Sequence, residues 1–111
     1  MNSREKGKRG ERAAAHQLRK HGYDARRGQQ FSGANGDADV VGLPGYHIEV
    51  KYTSSGHGKL YEWVEQARRD SRDGEKPFVM HKKVSKNDRG LPWLVTMDFE
   101  DFIELVEKVR Q

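Results

Sequence analysis

Asp39, Glu49 and Lys51 are the residues of this chain whose types and spacing suggest chemistry. They sit in Gly36-Asp37-Ala38-Asp39-Val40-Val41 and Ile48-Glu49-Val50-Lys51, two short apolar runs around Leu43-Pro44-Gly45-Tyr46. That pattern predicts a β-hairpin. Side chains alternate across a strand, so Glu49 and Lys51 share one side while Ile48 and Val50 take the other. Whether Asp39 joins Glu49 depends on register. A two-residue Pro44-Gly45 loop would pair residue 39 with residue 50 and separate the carboxylates. A three-residue loop, or a bulge, would pair 39 with 49 and bring them together. In the second register two carboxylates converge as they would to hold a hard divalent cation such as Mg²⁺. Such an ion activates water and binds phosphate oxygens, and Lys51 is placed to orient water or offset charge at phosphorus. Asp37 is a second possible ligand. The plainer alternative is a Glu49–Lys51 surface ion pair with Asp39 as a turn residue.

These strands need elements to position them. Residues 6–21 read as a helix, favoured by Ala13, Ala14, Ala15 and Leu18, with Gly22 where a C-terminal cap belongs. Gly7 and Gly10 predict a weak start. Glu11, Ala14, Ala15 and Leu18 fall on one face, which should pack on the sheet and aim Glu11 inward. The alternative for Glu11 is an exposed acid favoured by the helix dipole. Residues 23–27 suit a short strand, and 28–36 a loop rich in Gly, Gln, Ser and Asn. After the hairpin, 53–58 read as a loop and 60–72 as a helix carrying Leu60, Val64 and Ala67, ended by Gly74 and Pro77. Residues 78–80 and 93–95 suit two more strands. Asp98 can cap a last helix with Phe99, Phe102, Ile103, Val106 and Val109 on one face. The order is α-β-β-β-α-β-β-α within one domain, residues 1–111: an α/β fold with a central mixed sheet flanked by helices.

The charge is uneven. The net charge is +4, yet residues 1–27 hold nine Lys/Arg against three Asp/Glu, and the remainder twelve against fourteen. A basic end attracts polyanions, usually nucleic acid. Lys8, Arg9 and Arg12 on the first helix, and Arg26 and Arg27 beside the loop, are the candidate phosphate contacts. A solvated helix face is the competing reading. No cysteine is present, which excludes thiolate metal sites and disulfides. No long apolar run suggests a membrane span, and no apolar signal region follows the basic N-terminus, so a cytoplasmic protein is expected. His16 and His21 are five apart, not at the i, i+4 spacing of a zinc helix. Gly28, Gly33 and Gly36 lack a following Gly-Lys-Ser/Thr, which disfavours a nucleotide cofactor. His47 lies on the Glu49 side and reads as solvated rim, with a place in the site left open; Gln66 reads as surface, with an approach to the site left open; His81, Lys82 and Lys83 as DNA contacts or the flank of an edge strand; Tyr61 and Trp63 as core or interface.

An Asp before two apolar residues, a short hairpin and then Glu-x-Lys resembles the PD-(D/E)XK nuclease superfamily. Gly10-Glu11…Leu18…His21-Gly22-Tyr23 resembles the first helix of archaeal-type and phage Holliday junction resolvases. So do Glu65-Gln66-Ala67-Arg68-Arg69-Asp70, Pro77-Phe78-Val79-Met80-His81 and Trp93-Leu94-Val95-Thr96-Met97 for phage members. The likeness covers nearly the whole chain, with Ala38 in place of Pro before Asp39. It implies a restriction-endonuclease-like core and catalytic Glu11, Asp39, Glu49 and Lys51. It places Glu11 with Asp39 and Glu49 among the metal-site residues, and Arg26, Arg27 and Ser32 in the DNA-binding segment. The implied activity is Mg²⁺-dependent cleavage of four-way DNA junctions, with Mn²⁺ able to substitute. Symmetric cutting of opposed strands implies a two-fold homodimer. A nicking or restriction-like nuclease, or a DNA-binding module without catalysis, are the alternatives.

Overall fold

A computed structural model of the chain describes residues 3–29, 38–84 and 90–111. Ser32 and Asp37, and the polar stretch 85–89, lie outside the described residues. Five strands form one mixed sheet: β1 (Arg26–Arg27), β2 (Val40–Val41), β3 (Tyr46–Thr53), β4 (Lys76–Lys83) and β5 (Leu94–Thr96), in the spatial order β1-β2-β3-β4-β5. β3 and β4 are parallel and the other neighbours antiparallel. A parallel pair needs a crossover. Here it is a 3₁₀ turn (His57–Lys59) and α2 (Leu60–Asp70). The first helix, α1 (Ser3–Arg19), and the last, α3 (Phe99–Val109), complete the expected α/β order.

The sheet has two covered faces. Ile48 and Val50 of β3, with Val40, Phe78 and Met80, pack against Ala14 and Ala15 of α1. Val79 packs with Trp63 and Ala67 of α2 in a second cluster. Each fully buried Ile or Val removes enough apolar surface to contribute roughly 1.5–3 kcal/mol. The alternation expected for β3 therefore holds, with a refinement: the Glu49 side is covered as well, by α2.

The register follows from the turn. Leu43 O accepts from Tyr46 N–H at 3.2 Å, closing a tight turn over Pro44-Gly45, with Gly45 at φ +85°. Pro followed by a positive-φ Gly is a type II signature. That turn alone would pair residue 43 with 46. Yet Val40 lies opposite Ile48, so one extra residue is taken up on the β2 side. Gly42 supplies it. Its φ is +114°, and a Cβ there would sit 2.3 Å from Asp24 O. The two-residue turn and the bulge, alternatives in the sequence, occur together, and the ladder continued by one step puts Asp39 opposite Glu49.

Other elements depart from the expected bounds. α1 begins earlier and ends at Arg19, and it runs through both Gly7 and Gly10. Gly10 is there because the backbone comes close to β3: a Cβ would lie 2.4 Å from Tyr52 Cβ. Gly10→Ala gains helix propensity of about 1 kcal/mol. The forced contact costs about 1–3 kcal/mol and wins, because a Cβ against a Cβ cannot rotate away. Urea unfolding should therefore show a net loss of stability. β4 starts before Pro77 rather than after it. Lys76 N–H donates to Gly45 O at 2.8 Å, so position 77 faces the β5 side. There β5 pairs only with residues 79–81, and Pro77 forfeits no ladder bond. α3 is capped as expected, Asp98 accepting from Glu100 N–H at 2.8 Å. Its apolar face is not covered by any described residue to the point of burial; Phe99 and Phe102 are exposed.

Candidate active site

Lys51 follows Glu49 on the α2 side of β3. Its Nζ donates to Gln66 Oε1 at 3.0 Å and lies 6.0 Å from the Trp63 ring centroid. The ammonium is thus held by one hydrogen bond and one aromatic face, at the edge of useful cation–π range. Gln66 is not the surface residue expected. It sits one step along α2 from buried Ala67 and three from buried Trp63, which turns it toward the strand.

Glu49 is buried, at 4% exposure, and so is His47, at 3%. The His47 Nε2–H donates to Glu49 Oε1 at 2.9 Å. The expectation of a solvated rim for His47 fails because α2 and the turn after it cover this face. Burial by itself would raise the Glu49 pKa. Hydrogen bonds from His47 and Asp39, with the charges of His47 and Lys51, outweigh it and hold the carboxyl below its usual value.

Asp39 lies just before β2, half-buried, with Oδ2 accepting from Val50 N–H at 2.8 Å. That bond anchors it across the hairpin. Burial, then the charge of Glu49, pushes its pKa up to about 7, against the opposing effect of the Val50 N–H. The two carboxyls shift in opposite directions, so Asp39 is the one of the pair that keeps a proton to higher pH. The repulsion between two ionised carboxyls this close is what a bound cation would relieve. Two hard oxygen donors beside a lysine suit a divalent ion that keeps several waters, so the donor set fits such an ion.

Glu11 is brought near but not into this pair. Its charge contributes to the upward shift of Asp39, yet its Oε1 accepts from Arg27 Nε at 3.0 Å. Among the described residues no group of three or more His, Asp or Glu is arranged to hold a metal. Glu11, expected as a third ligand, is paired with Arg27 here, close enough for its charge to act on Asp39.

The cations divide. Arg9, Arg12 and Arg26 are exposed, and Lys8 lies 4.0 Å from Glu5. Arg27 is committed to Glu11, and Arg19 Nη1 donates to Ala25 O at 2.8 Å. His81 is buried on β4, an interior strand, and not on an edge. Its Nε2 meets Thr96 Oγ1 at 2.8 Å and its Nδ1 faces His57 Nδ1 at 3.4 Å, with both rings against Trp63. Burial and the neighbouring His57 lower its pKa, which favours the neutral ring in this packed position. The sequence leaves open whether His47 and Gln66 join the site, and it does not show the packed role of His81. Strand alternation placed His47 beside Glu49, and the α2 periodicity placed Gln66 near Trp63; only the covering of that face was missing.

Neither a curated protein sequence nor a solved structure matches the chain. A family model described as "Phage putative PDDEXK endonuclease" matches residues 2–111. With that match spanning the chain, this protein belongs to the phage PDDEXK endonuclease family.

Proposed function

We propose that the protein is a Mg²⁺-dependent endonuclease selective for branched DNA, a Holliday junction resolvase acting as a homodimer in the host cytoplasm. The observation that carries the chemistry is the bulged register that sets Asp39 opposite Glu49, with Lys51 two residues along the same strand face. Asp39 and Glu49 would hold the ion, which when bound supplies charge neutralisation at the phosphate and a more acidic water. Lys51, steadied by Gln66, offsets the charge that develops on the phosphoryl oxygens. His47 and Val50 N–H hold the two carboxyls in place. The test is cleavage of a synthetic four-way junction against linear duplex of the same sequence, with Mg²⁺ and with EDTA. Junction-selective, Mg²⁺-dependent cutting supports the reading. Equal cutting of linear duplex moves it to a nicking or restriction-like nuclease.

DNA is expected to bind through Lys8, Arg9, Arg12 and Arg26, of which the three arginines are exposed. Arg27 is paired with Glu11 and contributes less. Each phosphate contact releases counterions, with a slope of log affinity against log salt of about −0.9 per contact. Replacing Lys8, Arg9 and Arg12 together with Ala should flatten the slope by about two to three units, as read by fluorescence anisotropy across a salt titration. An unchanged slope would place the DNA surface elsewhere.

The dimer surface is expected at β5 and α3. Leu94 and Val95 are exposed on β5, the last strand of the sheet order. Tyr61 and Phe99 line one groove with Leu60, Val64 and Met97. Trp63, the other interface candidate, is buried in the core. Phe99→Asp with Phe102→Asp should shift the protein to monomer by light scattering and abolish paired junction cuts. A monomeric wild type would remove the symmetric mechanism. No helix among the described residues is long and apolar enough to cross a membrane.

A further inference from the structure

We infer that His47 is a positioning residue for Glu49: its Nε2–H fixes the rotation of the Glu49 carboxylate and so decides which oxygen is offered to a divalent ion. The inference rests on the proposed role of Asp39 and Glu49 as ligands. Its basis is geometric. The Nε2···Oε1 distance is 2.9 Å between two residues that are 3% and 4% exposed. A carboxylate oxygen can only accept, so Nε2 carries the hydrogen. On its other side the ring faces a second carboxylate, with Nδ1 3.8 Å from Glu75 Oε1. Glu75 is itself tied down, its Oε1 accepting from Arg72 N–H at 2.9 Å. The imidazole is thus held between a turn and the candidate site.

The last torsion of a glutamate is broad and nearly free. Burial restricts where the Glu49 carboxyl sits but does not fix the plane of its oxygens. The bond from His47 does, and it occupies Oε1, leaving Oε2 as the oxygen without a histidine. Mg²⁺ demands near-octahedral geometry at about 2.0–2.1 Å, so a carboxylate that rotates loses affinity. Hydrogen-bond partners of ligating carboxylates typically carry about 10–100-fold in metal affinity or activity. His47 also lines a recess with Leu43, Pro44, Tyr46, Arg72 and Glu75, so a smaller side chain would admit water to Glu49.

The experiment is Mn²⁺ binding by electron paramagnetic resonance, at one fixed, mildly alkaline pH, on wild type, Glu49→Gln, His47→Phe, His47→Met and His47→Gln, with thermal melts to establish folding. Phe and Met fill the site without a donor; Gln restores an N–H at similar reach. The expected result is a weakening of about 10–100-fold for Phe and Met, with substantial recovery for Gln. The Mg²⁺ concentration for half-maximal cleavage should rise in parallel, more than saturated kcat falls. Folded Phe and Met variants that bind Mn²⁺ as tightly as wild type, while Glu49→Gln does not, would overturn the inference alone. Wild-type binding by Glu49→Gln would overturn both the ligand assignment and this inference. If neither donor-less variant folds, the His47 ring ¹⁵N resonances of wild type decide: they must shift on Mg²⁺ addition, and unmoved resonances overturn the proposal.

Discussion

Glu49→Gln and Asp39→Asn are each expected to lower Mg²⁺-supported cleavage by on the order of 10³-fold or more while leaving junction affinity equal or tighter. Each swap keeps shape and most hydrogen-bonding capacity. In Asp39→Asn the new amide oxygen can still accept from Val50 N–H, and in Glu49→Gln the amide oxygen can still accept from His47. The essential loss is the negative charge, and charge is what a hard cation is bound by. Binding should survive because the candidate phosphate contacts lie on α1 and at β1, not on the acidic pair. Removing a negative group from a DNA-facing site also removes repulsion with phosphate. Lys51→Ala should cost a similar factor without weakening metal binding, since it touches no ligand. Gln66→Ala should cost about tenfold, because it frees the ammonium but leaves it in place. Ca²⁺ should support binding but not turnover, its looser coordination placing water poorly. Single-turnover cleavage and gel-shift affinity on one junction separate these cases. Robust cutting by Glu49→Gln would end the two-carboxylate mechanism. Loss of binding together with cutting would indicate misfolding or a DNA surface placed wrongly.

The candidate site was legible in the sequence wherever periodicity fixes it. Alternation in β3 sorted Ile48 and Val50 from Glu49 and Lys51, and the order of elements followed from the spacing of the apolar runs. The hairpin register was open, because Pro44-Gly45 alone specifies one pairing and the required pairing is the other. What decides it is Gly42, forced by a contact with Asp24 O that is distant in any local reading. Gly10 shows the same limit: its helix cost is visible locally, its contact with Tyr52 is not. For His47, Gln66 and His81 the sequence leaves burial open for one shared reason. Their positions were given by alternation and helical spacing, but burial depends on α2 lying over that face of β3 and β4, which is a tertiary fact. The apolar stripe of α3 was read correctly, yet a stripe names a face and not what it packs against. Its exposure is what directs the dimer expectation to β5 and α3.

The stability of the metal-free protein should depend on pH through Asp39. Its pKa is about 7 in the folded chain against an ordinary value of 3.8. Below pH 3.8 both states hold the proton and the group is neutral in its effect. Between 3.8 and about 7 the folded state keeps a proton that the unfolded state has released, so rising pH costs stability; above about 7 the loss is complete and constant. A shift of about three pH units corresponds to roughly 4 kcal/mol, a large part of the total for a domain of this size. Other carboxyls act in the opposite sense: Glu49 and Asp98 lie below their usual values and lose stability as pH falls. The difference between wild type and Asp39→Asn therefore reports the Asp39–Glu49 pair, with Asp98 common to both. Measured by urea unfolding in EDTA, Asp39→Asn should gain on wild type steadily from about pH 4 to about pH 7 and no further beyond. A divalent ion replaces that proton, so saturating Mg²⁺ should restore wild type above that range and do little for Asp39→Asn. Apparent Mg²⁺ affinity should likewise rise with pH, by up to about tenfold per unit, until Asp39 is ionised near 7. A wild type and variant that stay parallel across the whole range would mean that Asp39 is already charged throughout and that its carboxyl is not raised by burial beside Glu49.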